Sequence, residues 1–262
     1  MFDETEPVVQ FKLDLLRRAL PARHAVVYGD MYRVDGAYTA KCLEYGCERA
    51  LLVDVIETPR LLQLRLENPT FDFAKGDFSD ASFMASIRRK YEIGVVFDIL
   101  LHQAPLLHTL HLMLSKVESR FVVVQPMLEE QSSPNSLVYL PGNTDESLHP
   151  IPEEGSEYTI FDVDRVNHAY WLWGITRSFL RSALVGEGFD VTYEETLGPW
   201  PNERWSWWGC IAERHERPIY HWSRHHTWQD LYEEPWPGDE PDGESARSSL
   251  RRRQVDVGAT RR

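Results

Sequence analysis

Between residues 24 and 124 the chain repeats one pattern: a short apolar run, usually an acidic residue at or near its end, then a segment with helical spacing. The runs are HAVVYG before Asp30, ALLVDV with Asp54, FDFAK before Gly76-Asp77, GVVFDILL with Asp98, and RFVVV. Strands that follow one another through helices cannot close hairpins. They cross over and pair in parallel, and helices then cover both faces of the sheet. The spacing predicts an α/β fold built on a doubly wound, mostly parallel sheet. Helices are expected over 9–20, 37–46 (Gly46 as C-cap), 59–66, 80–90 (Asp80 as N-cap), 105–115 (Pro105 in the first turn) and 176–187 (Thr176 as N-cap). Two later strands, FDVTYEE and WWGCIAER, are joined by a loop with no obvious crossover helix, so the sheet is expected to end in an antiparallel C-terminal strand.

The 262 residues, 42% hydrophobic and 26% charged, suffice for one large core with appendages. The pattern divides them into an N-terminal helix (1–20), a cofactor-sized core (21–130), an insertion (131–175), the C-terminal part of the fold (176–215), an aromatic-rich extension (216–237) and a tail (238–262). The tail has almost no large apolar residues and is expected to be disordered. All nine tryptophans lie beyond residue 170. No stretch approaches the length of apolar sequence that a membrane span needs, and the acidic N-terminus lacks a signal pattern. Three cysteines, Cys42, Cys47 and Cys210, make an odd number without metal-like pairing, which points to a reducing, cytoplasmic setting. The net charge of −13 counts against a nucleic-acid partner, and Arg251, Arg252 and Arg253 read as a solvated run. His221, His225 and His226 match no known ligand spacing, so no metal is expected.

In doubly wound sheets, ligands bind at the carboxyl ends of the strands, near the point where strand order reverses. Those ends carry Asp30, Asp35 and Gly36, then Asp54, then Asp77-Phe78, then Asp98 and Leu101-His102. A carboxylate after the second strand suits paired ribose hydroxyls, because it accepts two hydrogen bonds. An acid followed by an aromatic suits adenine, with polar contact at the amino edge and packing on a face. Bland alternatives stand beside each. Asp30 also fits a strand-end cap or turn residue, Asp77 a Gly-Asp turn, and His102 a satisfied structural histidine.

Taken in order, these motifs resemble the class I S-adenosylmethionine-dependent methyltransferases. The closer likeness is to the branch whose first loop reads Asp-x-Gly-x-Trp-Asp-Gly-aromatic and which carries Tyr-His…Pro-Leu after strand four. Asp30, Asp35 and Gly36 match the first motif, and Leu101-His102 with Pro105-Leu106 matches the second. The likeness implies the Rossmann-like methyltransferase fold, with S-adenosyl-L-methionine as cofactor. It implies Asp30, Tyr32, Asp35, Gly36, Asp54, Asp77, Phe78 and Leu101 as cofactor-binding residues, the first loop wrapping the methionine end. Tyr32 departs from it, standing where the branch has glycine, and Val34 stands where it has tryptophan. Glycine lets the backbone approach a ligand closely. The Tyr32 side chain must point away or fill part of the pocket. Gly36 still sits at a helix start, where backbone N–H groups can meet a carboxylate.

The resemblance also implies that the insertion before the last helix helps form the substrate site. Tyr170, Trp171 and Trp173 could stack on a planar or sugar-like acceptor, and Arg177 could pair with an anionic one; core cover and a surface ion pair are the alternatives. His102 and His168 are the candidate general bases. The expected function is methyl transfer to an oxygen or nitrogen of a small molecule, with most of the rate coming from positioning. Two rivals remain open: a catalytically inactive cofactor-binding or partner protein, motivated by Tyr32, and a tRNA-modifying enzyme, against which the acidic charge counts. A homo-oligomer is compatible with the sequence, and no membrane partner is expected.

Overall fold

The computed structural model describes residues 2–31, 34–130, 135–140, 162–163, 166–167, 172–199 and 203–215. Tyr32, His168, Tyr170, Trp171, the three clustered histidines, the extension and the tail lie outside the described residues. The chain runs α1 (Pro7–Ala19), β1 (Ala22–Tyr28), α2 (Ala37–Glu44), β2 (Cys47–Asp54), α3 (Pro59–Glu67), β3 (Phe71–Lys75), α4 (Ala81–Ser86), β4 (Tyr91–Phe97), a 3-10 turn (Leu100–His102), α5 (Leu106–Ser115) and β5 (Val117–Leu128). It continues through β6 (Leu137–Tyr139), β7 (Asp162–Val163), β8 (Val166–Asn167), β9 (Trp173–Ile175), α6 (Arg177–Gly186), β10 (Phe189–Pro199) and β11 (Trp205–Arg214).

Seven strands form one sheet in the order β10-β11-β5-β4-β1-β2-β3. The five strands β3, β2, β1, β4 and β5 are parallel to one another, while β11 runs antiparallel to both β5 and β10. The doubly wound sheet with an antiparallel C-terminal strand is the one its apolar runs predict. Strand order reverses between β1 and β4. Their register pairs Tyr28 with Val96, so Asp30 and Asp98 stand at one height on either side of the switch point. Alternate residues of the central strands serve opposite layers. Val26, Tyr28, Val96 and Val123 pack with α4, α5 and α6, whereas Ala25, Val27, Val95 and Val122 pack with α1 and α2. Burial on both faces is why these strands read as continuous apolar runs.

The element bounds differ from the periodicity in instructive places. GVVFDILL is expected to be strand throughout, but β4 ends at Phe97 and Leu100–His102 form a 3-10 turn. Leu100 and Leu101 are buried in the same cluster as the strand. The run is apolar because it is covered, not because it is extended. β5 reaches Leu128, well past RFVVV, because β11 pairs with it as far as Leu128 after the pairing with β4 has ended at Val124. α4 stops at Ser86 rather than 90, although Asp80 caps its start as expected, accepting from the N–H groups of Ser82 and Phe83. Thr176 holds the N-cap position of α6 without capping it: its hydroxyl accepts from the Ser136 N–H at 2.8 Å and donates to the Ser136 carbonyl at 3.0 Å. Ser136 competes successfully because β6 and β9 form an antiparallel ribbon that brings it alongside. Cys42, Cys47 and Cys210 are free thiols, all buried. Among the described residues no helix is long and apolar enough to cross a membrane.

Candidate functional site

The first loop is organised by Asp30. Its carboxylate is buried and accepts from the Thr39 N–H at 2.6 Å, the Thr39 hydroxyl at 2.7 Å and the Tyr38 N–H at 3.3 Å. The free N–H groups at the start of α2 thus meet a carboxylate, but it is the chain's own. Its carbonyl accepts from the Gly36 N–H at 2.6 Å, and Gly36 takes φ 83°, a left-handed turn that glycine adopts without strain. Burial pushes the Asp30 carboxyl up to about 7 against those hydrogen bonds, with the nearby Asp54 charge adding to the rise. Asp35 also takes a positive φ of 51° and accepts from the Thr58 hydroxyl at 2.9 Å. Thr58 in turn caps α3 by accepting from the Leu61 N–H, so the loop is tied to the next helix.

Asp54 ends β2 and is buried, accepting from the Ile56 N–H at 3.0 Å. Burial raises its carboxyl to about 6, opposed by the backbone N–H groups of Ile56, Val55 and Met31. Its position faces the same first loop. Asp77 is exposed and accepts from the Ser79 N–H at 2.7 Å, the turn geometry that stands as its bland alternative. Phe78 is buried edge-on against Tyr28, with ring centroids 6.0 Å apart.

The tip of β4 differs. Asp98 takes φ 60° and pairs through Oδ2 with the ammonium of Lys12, which reaches up from α1. That ammonium lies 5.1 Å from the centroid of Trp207, 5.4 Å from Tyr38 and 5.8 Å from Phe97, within cation–π range of all three. The Asp98 Oδ1 atom is shielded from solvent and has no hydrogen-bond partner among the described residues, although its side chain as a whole is 35% exposed. Burial raises the Asp98 carboxyl, and Lys12 acts against that rise. Sequence reasoning missed Lys12. The signal was there: it sits on the apolar face of α1, between Val9 and Leu16, where a lysine needs a reason.

Beyond Asp98 the chain turns through buried Leu101 to half-buried His102. The ribbon docks here. The Leu172 N–H donates to the Leu101 carbonyl at 2.9 Å, and the Trp173 Nε1–H to the Gln103 carbonyl at 2.8 Å. Trp173 stands edge-on to Tyr139, which is 55% exposed, with centroids 5.2 Å apart. Tyr139 was also missed, since LVYL lies in a polar, Pro-rich stretch with little strand signal. Arg177 does not join this group. It pairs with Glu129 at 3.0 Å, the surface ion pair offered as its alternative. The structure therefore gathers Asp30, Asp35, Gly36, Asp54, Asp98, Leu101, His102 and Trp173 along the carboxyl edge, and leaves Arg177 engaged beside β5. Among the described residues no group of histidine, cysteine and carboxylate side chains could hold a metal.

No protein-family model and no curated sequence matches the chain. Solved structures match it by shape. An N1-methyltransferase from Burkholderia thailandensis, solved with 1,6-didemethyltoxoflavin and S-adenosylhomocysteine, is 18% identical with a TM-score of 0.52, covering 79% of this chain and 81% of its own. The N-terminal domain of EvdMO1 with S-adenosylhomocysteine bound is 13% identical at a TM-score of 0.56, covering 80% of this chain and 82% of its own. The [4+2]-cyclase SpnF is 9% identical at 0.54, covering 81% and 84%. These likenesses give the chain the class I methyltransferase fold. Fold alone leaves the chemistry to the site.

Proposed function

We propose that the chain is an S-adenosylmethionine-dependent methyltransferase acting on a small-molecule acceptor. The observation that carries this reading is the convergence of Asp30, Asp54 and Asp98 on one switch point of a sheet with the methyltransferase strand order. Two of the structural neighbours above hold S-adenosylhomocysteine, which supports the same cofactor here. The residues fit an adenosyl amino acid. Asp54 is an acceptor for ribose hydroxyls, Asp77 and Phe78 flank the place for adenine, and Leu101 lies under the rim. The turn through Asp35 and Gly36 brings backbone close to the amino-acid end, and Asp98 offers an unpartnered acceptor there. When bound, the cofactor supplies an already activated methyl group.

What the chain must then do is hold an acceptor oxygen or nitrogen in line and keep water out. Trp173 and Tyr139 form an aromatic wall beside the turn that carries His102, suited to an acceptor with an apolar or planar face. His102 takes the proton where the acceptor is a hydroxyl or a protonated amine, and His168 is the alternative base. Exchange of His102 for alanine should lower turnover at least tenfold while leaving cofactor affinity nearly unchanged; unaltered turnover removes it from the mechanism. Failure to bind S-adenosylmethionine at millimolar concentration would favour the inactive-relative reading that Tyr32 motivates. Steeply salt-dependent tRNA binding would favour the nucleic-acid reading.

A further inference from the structure

Lys12 places a positive charge at the edge of the crevice proposed for a positively charged cofactor, and it does so on a buried side chain. Its ammonium is held by the Asp98 carboxylate and by the rings of Tyr38, Phe97 and Trp207, the kind of enclosure that recognises a cation. One wall of that enclosure, Asp98, stands across the switch point from Asp30, and Tyr38 is tied to the first loop by its N–H bond to Asp30. Asp98 also has a shielded oxygen without a partner among the described residues, and its side chain is open along one side. A ligand charge here acts on the buried Lys12 ammonium through protein and on Asp98 across its open side, at separations short of a Debye length.

We propose that the Lys12–Asp98 pair sets how strongly the site discriminates the positively charged methyl donor from the neutral thioether product. This rests on the cofactor reading above. S-adenosylmethionine and S-adenosylhomocysteine share adenosine, ammonium and carboxylate, and differ by one methyl group and one unit of charge at sulfur. Lys12 repels that charge and Asp98 attracts it. With both in place the two effects largely cancel, and donor and product bind with comparable strength. Removing one partner exposes the other: without Lys12 the site favours the donor, and without Asp98 it favours the product. A purely structural role for the pair moves both ligands together, because neither partner is then sensed through charge.

The test is titration calorimetry of the full chain with both ligands at pH 8, in wild type, Lys12→Met, Lys12→Arg and Asp98→Asn. The donor-to-product affinity ratio is expected to rise about fivefold in Lys12→Met, to stay near wild type in Lys12→Arg, and to fall about fivefold in Asp98→Asn, as a unit charge several ångströms away dictates. Ratios that stay constant, or that move in the same direction in Lys12→Met and Asp98→Asn, overturn the proposal. Should Lys12→Met fail to fold, Asp98→Asn carries the test against the wild-type ratio. A wild type that binds neither ligand fails the cofactor reading itself, and the proposal with it.

Discussion

The two sides of the switch point use the same residue type differently. On the β1 side, Asp30 is buried and satisfied by the Thr39 N–H and hydroxyl and the Tyr38 N–H, so it builds the loop it sits in. On the β4 side, Asp98 is paired with an ammonium and keeps one oxygen without a partner. An acid at a strand tip is therefore not one kind of feature. Its neighbours decide whether it holds the scaffold or offers charge to a ligand. The first kind should register mainly in stability, and the second mainly in binding.

The largest effect is expected at Asp30. Asp30→Ala leaves two backbone N–H groups and one hydroxyl without their acceptor and should cost about 3 kcal/mol, read from urea unfolding. Its titration sharpens the point. The folded state keeps a proton on Asp30 up to about 7, where the unfolded chain loses it near 4. Stability from this group is fully present below the unfolded value and is lost as pH rises through the folded one. Asp30→Asn should therefore gain on wild type as pH rises from 4.5 to 7.5, by up to about 3 kcal/mol. A constant difference across that range would mean that Asp30 is not buried as described.

Lys12→Met should cost less, about 2 kcal/mol, because Asp98 is partly open to solvent and water screens the charge left behind. A cost as large as that of Asp30→Ala would erase the contrast between the two sides. Trp173→Phe removes the bond to the Gln103 carbonyl and should cost about 1 kcal/mol, while loosening the ribbon against the turn that carries His102. A smaller effect lies away from the crevice. His111 pairs with Glu187, which raises its imidazole above the ordinary range against desolvation. Its contribution is present below about pH 6.5 and is lost as pH rises through the folded value. His111→Ala should cost about 0.5 kcal/mol at pH 5.5 and less at pH 8.5, by the same unfolding measurement.

Much of this architecture is legible in the residues. The alternation of apolar runs and helical spacing specifies the parallel sheet, because strands buried on both faces cannot hide their composition. The capping role of Asp80 is equally plain. The end of β4 is not, because Leu100 and Leu101 are as apolar in a covered turn as they would be in a strand. Lys12 is separated from Asp98 by 86 positions, and no local pattern announces such a pair. The β6–β9 ribbon is short and its partners lie far apart in sequence, so pairing comes from docking rather than propensity. Arg177 reads in the sequence as either a substrate contact or a surface ion pair, and in the structure it pairs with Glu129.

Titration calorimetry of the full chain with S-adenosylhomocysteine addresses the central claim most directly. One-site binding at about 100 micromolar or tighter, weakened at least tenfold in Asp54→Asn, is the predicted result. No heat and no thermal shift at millimolar ligand, or equal affinity in Asp54→Asn, would contradict the account.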